Sequence, residues 1–280
     1  WTDPGTIPDC IALTTLITRL APHTRMKGAK TKSVRATGTS MQILTAIAEN
    51  EGGVPMAELV DRLELAKSTV YKHLITLEEH GLVVNHETGY RLGLRCLEFG
   101  GTARQYDGVF DVAKPELDKL AEATGELTNL MFEEQGKGVY VYTARGDQAI
   151  NLDSRLGRRV YLHTTALGKA LLASLDDDHV DEIVDRHGLP ARTDETITTR
   201  SGLFEELTQI RTEGFAYNEE ERLGGVGCVG TPLDTGDRRN AAISIMTPIS
   251  RLRPDDTRHE YTEMLNQTAN VIEVTLAHGQ

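Results

Sequence analysis

Lysine is scarce in this chain: 9 lysines stand beside 21 arginines, and together they face 42 aspartates and glutamates. An acid-rich, lysine-poor surface suits a salt-loaded cytoplasm, where self-repulsion is screened, and a halophilic source is expected. Cysteine is scarcer still. Cys10, Cys96 and Cys228 are odd in number and far apart, which excludes a disulfide framework. The other histidines and cysteines lack metal-ligand spacing, so no metal and no cofactor is expected. No apolar run approaches the ~20 residues of a membrane-spanning helix, and no membrane partner is expected. The segment "IALTTLITRLAP" has a short apolar core, but no basic residue precedes it and Pro22 closes it, which argues against a secretory signal and for the cytoplasm. The first methionine is Met26, and residues 1–25 are expected to lie upstream of the natural start or to form a disordered extension.

Charge is unevenly spread. From Phe110 onward there are 18 basic and 30 acidic side chains, whereas Arg25, Lys27, Lys30, Lys32 and Arg35 meet no acidic residue between Arg25 and Gly38. This short basic arm reads as a phosphate-binding tail or as a solvated leader.

Helical periodicity begins at Ser40. Ile43, Leu44, Ile47 and Ala48 share one face; Gly52 and Gly53 break the helix, and Pro55 opens the next, where Met56, Leu59, Val60 and Leu63 repeat at helical spacing. A third helix, "KSTVYKHLITLEEHG", ends at Gly81. Val70, Leu74 and Leu77 form its buried stripe, with Tyr71 and Ile75 flanking it. Ser68, Thr69, Lys72, His73 and Thr76 project from the other side. Short hydroxyls with Lys and His suit a major groove, and Tyr71 is counted with this set. Two β-prone runs, "LVV" and "YRL", then flank the turn-forming "NHETG", a hairpin wing with His86 and Arg91 as candidate phosphate contacts. The expectation is a winged helix-turn-helix that binds double-stranded DNA. The alternative is an interaction adaptor, since Glu49 to Arg95 carries 5 basic against 8 acidic residues.

The rest of the chain mixes strands and helices without regular alternation, which indicates an α+β class. "RCLEFGGTARQY" reads as a connecting helix interrupted by Gly100 and Gly101, and "VAKPELDKLAEATG" as a helix ending near Gly125. The stretch "ERLGGVGCVGTPLD" holds a literal G-x-G-x-x-G at Gly225, Gly227 and Gly230. Pro232 and Gly236 stand where a dinucleotide-binding helix would run, so nucleotide binding is rejected. Read as a strand, it puts Val226, Cys228 and Gly230 on one face; "NAAISIMTP" likewise aligns Ala242, Ser244 and Met246. Facing each other, these supply a thiol, a hydroxyl and apolar walls for a small ligand, with the glycines leaving room for it near the backbone.

"KSTVYKHLITLEEHGLV" with "YRLG", then "HTTALGKALLAS", "GFAYNEEERLGGVGCVGTPLD" and "AAISIMTPISRL" resemble, in order and spacing, the IclR family of transcriptional regulators. The resemblance implies an N-terminal winged helix, a linker helix and a C-terminal antiparallel sheet with flanking helices, similar to GAF and profilin-like folds. Expected bounds are a start region over 1–38 with its basic arm at 25–38, a DNA-binding domain over 39–95, a linker over 96–109 and an effector and oligomerisation domain over 110–280. It also implies homodimers, often paired into tetramers, that control a catabolic operon in response to a small-molecule effector. By the same resemblance the effector site draws on Ala166, Leu167, Gly168, Asn218, Val226, Cys228, Ser244 and Met246, with amides near Gly168 holding an anionic group. Asn218 departs from an aspartate found in some relatives, and Met246 stands where a serine occurs. These departures favour a larger or less charged ligand, such as a sugar acid or sugar derivative, over a small keto acid.

A rival reading is a thiol-dependent enzyme pairing Cys228 with a histidine such as His163. Nothing nearby supplies a base oriented by a third group, and Cys228 lies in a strand pattern rather than at an activating helix N-terminus. No catalytic residue is therefore expected.

Overall fold

The computed structural model describes residues 33–50, 52–150 and 155–279. Residues 1–25, Cys10 and the basic Arg25, Lys27, Lys30 and Lys32 lie outside the described residues. Internal contacts divide the chain into two compact units, Trp1–Leu94 and Arg95–Gln280.

In the first unit the apolar repeats fold as α1 (Arg35–Ala48), α2 (Met56–Leu63) and α3 (Lys67–Glu79). Their stripes meet in one small core that includes Ile43, Ile47, Leu59, Val70, Leu74 and Leu77. The α2–α3 turn is tight because Glu64 takes a left-handed conformation (φ 52°) as the cap of α2. Strands β1 (Val83–His86) and β2 (Gly89–Leu92) pair antiparallel, so the wing loop is shorter than "NHETG": Asn85 and His86 are in the ladder. Val54 bridges Tyr90 and ties the hairpin to the entry of α2. That approach leaves no space at Gly89, where an added Cβ would lie 2.4 Å from the Val54 carbonyl carbon.

The second unit opens with α4 (Arg95–Gln105) and α5 (Val109–Thr124), the latter ended by left-handed Gly125. Contrary to expectation, α4 runs unbroken through Gly100 and Gly101: glycine weakens a helix by about 1 kcal/mol, too little to end one by itself. A six-stranded sheet follows, built from β3 (Leu127–Glu134), β4 (Lys137–Arg145), β5 (Arg159–Tyr161), β6 (Ala216–Glu219), β7 (Val226–Leu233) and β8 (Ala241–Pro248). The strand order is β5-β4-β3-β8-β7-β6, with every neighbouring pair antiparallel.

Helices cover both faces of this sheet, which is why its central strands are buried nearly end to end. On one face lie a 3₁₀ turn (Leu162–Thr164), α6 (Ala166–Ala173), α7 (Asp177–His187) and α8 (Arg200–Glu213), packed on Met131, Tyr140, Cys228 and Met246. On the other lie α5, α9 (Ile249–Leu252) and α10 (Asp255–His278), packed on Phe132, Val229, Ile243 and Ile245. No helix among the described residues is long and apolar enough to cross a membrane.

Gly227 and Gly230 of the G-x-G-x-x-G stretch do not clear space for a ligand. A Cβ at Gly230 would sit 3.1 Å from the Ala166 carbonyl carbon, so that glycine admits the start of α6. At Gly227 it would meet Leu252 of α9 at 2.8 Å, on the opposite face. The alternation of β7 thus serves helix packing on both sides of the sheet.

Candidate functional site

On the first unit, α3 presents Ser68, Tyr71, Lys72 and Thr76 to solvent, with Tyr71 52 % exposed rather than packed. Thr69 is half-buried. No side chain caps the helix at Ala66, so its first-turn amides are without a side-chain cap, a setting that suits a phosphate. His73 departs from the expected set: its Nδ1 shares a 2.8 Å hydrogen bond with Ser40 Oγ, which fastens α3 to α1 instead of presenting the ring. Thr76 donates its hydroxyl to the Lys72 carbonyl at 3.0 Å. In the wing, His86 is exposed, whereas Arg91 reaches back to the Gly52 carbonyl and to Thr88 Oγ1.

In the second unit a cavity of about 620 Å³ opens between the sheet and the segment from β5 into α6. Of the expected residues, Ala166, Leu167, Asn218, Val226, Cys228 and Met246 line it. Register explains part of this grouping, since Cys228 pairs with Met246 and Asn218 with Cys228 across neighbouring strands. Asn218 is buried and donates Nδ2 to the Thr164 carbonyl at 2.9 Å, tying β6 to the turn before α6.

Gly168 and Ser244 are outside this lining. The Gly168 amide donates to Thr165 Oγ1 at 2.9 Å as the capping bond of α6, so it is not available to an anion. Its missing Cβ answers a different need: one placed there would sit 2.1 Å from the Leu162 carbonyl oxygen. Ser244 is fully buried beneath the cavity, and Thr143, Asn129 and Ser244 form a polar string (2.9 and 3.5 Å) under the sheet surface.

The walls carry a cationic character that the strand pattern did not indicate. Arg158, Arg159, Arg192 and Arg222 all line the cavity. Arg159 is ion-paired with Glu134 at 2.6 Å. Arg192 lies over the Tyr161 ring at 5.2 Å, and Arg222 donates to the Tyr140 hydroxyl at 3.1 Å; among the described residues neither pairs with a carboxylate. Lys137 sits on the same Tyr161 ring at 3.0 Å, and burial, with Arg192 and Arg159 nearby, pushes its ammonium down to about 8. Two unpaired guanidiniums against apolar walls make a site for an anionic group. The signal was present in the sequence as the Arg158–Arg159 pair and as Arg222 beside the glycine stretch, but only the chain reversal at β5 brings them together.

Cys228 is buried, and burial pushes its thiol up to about 12, with a hydrogen bond from Ser244 acting the other way. A thiol so protonated is not a nucleophile near neutral pH. His163 is buried outside the cavity lining, with Nε2 3.2 Å from the Pro190 carbonyl oxygen, and burial lowers its basicity. The structure therefore does not assemble the Cys228–His163 arrangement of the enzyme reading. Among the described residues no group of three His, Cys, Asp or Glu is arranged to hold a metal.

A helix-turn-helix unit with a hairpin wing, followed by a helix-covered antiparallel sheet enclosing a small-molecule cavity, defines the class of ligand-binding transcriptional regulators. The model of the IclR helix-turn-helix domain matches residues 40–87, and that of the "Bacterial transcriptional regulator IclR C-terminal" matches residues 102–274. The chain belongs to the IclR family, DNA-binding transcriptional regulators with a C-terminal ligand-binding domain. It is similar to the probable HTH-type transcriptional regulator ArcR of Halobacterium salinarum, at 28 % identity over 85 % of this chain and 92 % of that one. It is also similar to XynR of Escherichia coli, at 31 % identity over 88 % and 98 %. The Thermotoga maritima IclR crystal structure superposes with a TM-score of 0.71 at 30 % identity, covering 87 % of this chain and 99 % of that one. An IclR homolog from Microbacterium hydrocarbonoxydans complexed with 4-hydroxybenzoate shares the fold, with a TM-score of 0.75 at 19 % identity over 86 % and 99 %.

Proposed function

We propose that this regulator reads its operator with Ser68, Thr69, Tyr71 and Lys72 of α3 and releases or grips it according to a carboxylate effector in the arginine-lined cavity. The observation that carries the effector class is the pair of guanidiniums, Arg192 and Arg222, that line the cavity without a carboxylate partner among the described residues. A cavity of about 620 Å³ exceeds the needs of a two- or three-carbon acid and suits a sugar acid or an aromatic acid. The bound 4-hydroxybenzoate of the Microbacterium homolog, itself a carboxylate, supports the same class.

Ala166, Leu167, Asn218, Val226, Cys228 and Met246 form the pocket's walls, and Arg222 anchors the carboxylate. Lys72 and the first-turn amides of α3 meet phosphate or base edges, with His86 on the wing reaching the backbone. The domain bounds 39–95, 96–109 and 110–280 complete this reading, with Arg35 at the end of a basic arm. The regulator acts in the cytoplasm as a homodimer or tetramer whose paired α3 helices enter grooves about one helical turn apart. The acid-rich composition reflects adaptation to salt.

Genome-wide occupancy of the tagged protein, with and without sugar acids and aromatic acids as carbon sources, tests it. Sharp peaks beside a catabolic operon that shift with one such acid are expected. Peaks indifferent to every acid would sink the effector assignment, and no peaks would sink the operator assignment.

A further inference from the structure

We propose that the arginine-lined cavity takes a di-acid, one carboxylate held by Arg222 and the second by Arg192 beside Tyr161. The inference rests on the effector reading above and narrows it from carboxylates in general to dianions.

The chain has 42 acidic residues and a net charge of −12, yet among the described residues no aspartate or glutamate lines this cavity, whereas four arginines do. Glu134 offsets Arg159 from outside the lining. Arg192 and Arg222 have no carboxylate of their own among the described residues. A single bound carboxylate answers one of these two guanidiniums and leaves the other.

The two are also held apart. Arg222 donates to the Tyr140 hydroxyl at 3.1 Å, and Arg192 lies 5.2 Å from the centroid of the Tyr161 ring. Tyr140 belongs to β4, and Tyr161 pairs with Lys137, three residues back along that strand. At a strand's rise per residue these two supports stand roughly 10 Å apart, a span that one carboxylate does not bridge. Each charge acts on its own neighbours. Arg222 opposes the burial that pushes Tyr140 and Cys228 up, whereas Arg192 adds to the burial that lowers Lys137 and His163.

A further observation, independent of the lining, concerns the crowding of cations at Tyr161. Lys137, which is not in the cavity wall, rests 3.0 Å from the centroid of that ring. Burial, with Arg192 and Arg159 nearby, pushes its ammonium down to about 8. Like charges gathered on one ring repel, and a carboxylate arriving at Arg192 relieves that repulsion while gaining a planar, two-pronged donor. A cavity of about 620 Å³ has room for a chain or ring with an acid at each end, and Leu167, Val226 and Met246 offer it apolar walls.

Isothermal titration of the full chain at constant ionic strength, with gluconate against glucarate and 4-hydroxybenzoate against terephthalate, tests the second anchor. In whichever pair binds, the di-acid is expected to be at least about tenfold tighter, the worth of one further charge-assisted hydrogen bond. Arg192→Ala, on an exposed loop, is expected to abolish that advantage and to leave the mono-acid within about twofold. Arg222→Ala is expected to weaken both members of the pair. A di-acid no tighter than its mono-acid, or an advantage that survives Arg192→Ala, would overturn the proposal while leaving the effector reading in place. Sulfate binding as tightly as the di-acid would also overturn it, by showing a general anion trap. Silence from all four acids would remove the effector reading itself, and this inference with it.

Discussion

Arg222 donates from Nη1 to the Tyr140 hydroxyl at 3.1 Å, joining the loop after β6 to β4 across the effector cavity. The bond orients the guanidinium while leaving its charge without a carboxylate partner among the described residues. Arg222→Ala is expected to weaken binding of gluconate or 4-hydroxybenzoate, whichever the protein takes up, by about 1.5–3 kcal/mol, the worth of a hydrogen bond to a charged group. Tyr140→Phe removes only the orienting bond and is expected to cost less. Calorimetric titration of the two variants checks the order; equal losses, or none, would put the anion elsewhere.

Lys72 and His73 are neighbours in sequence with different expected roles. Lys72→Ala should weaken operator binding and reduce the slope of log affinity against log salt by about one. His73→Ala should instead lower the stability of the first unit by about 1 kcal/mol through loss of the 2.8 Å bond to Ser40. Ser40→Ala in the His73→Ala background should add little further, a double-mutant cycle readable by thermal melting. Equal salt slopes for wild type and Lys72→Ala would remove Lys72 from the interface.

Gly168 is a packing residue in this structure. Gly168→Ala places a methyl 2.1 Å from the Leu162 carbonyl oxygen, a backbone atom that cannot swing aside. A loss of stability of about 3 kcal/mol is expected, the upper end for overpacking, since the methyl meets backbone rather than a flexible side chain. A melting temperature within two or three degrees of wild type would show that the 3₁₀ turn relaxes freely.

Burial pushes the Cys228 thiol and the Tyr140 hydroxyl each up to about 12, from ordinary values of 9.0 and 10.0. Between these limits the unfolded chain has released protons that the folded chain retains. Stability is therefore expected to fall as pH rises from about 9 towards 12. Tyr140→Phe should flatten that decline, and iodoacetamide labelling of Cys228 in the folded protein should stay slow at pH 8. Rapid labelling at pH 7 would restore a reactive thiol and with it the enzyme reading.

Much of this protein is legible in the order of its residues. The stripe Val70, Leu74 and Leu77 depends only on helical spacing, and those side chains are the ones buried. Cys228 and Met246 share a face because side chains alternate along a strand, and antiparallel register then places them opposite each other. The rejection of a dinucleotide turn at Gly225 to Gly230 needed only Pro232 and Gly236, which rule out a helix there.

What escaped the sequence is every feature that depends on the other side of a contact. Helix spacing placed His73 on the exposed side, but Ser40, 33 residues away, claims its ring. Gly230 resembles a ligand-clearing glycine until the start of α6 is seen to press its backbone against it, and Gly168, within α6, is bare because the Leu162 backbone crowds it. The four arginines of the cavity come from three separate segments, and Lys169, in an apolar helix, finds its two glutamates 37 and 52 residues onward. Periodicity determined which face of each element is apolar, because that is a property of consecutive residues. Which charges meet, and which remain unanswered, was decided only by the tertiary structure, because electrostatics and hydrogen bonding act through space between residues that the chain keeps far apart.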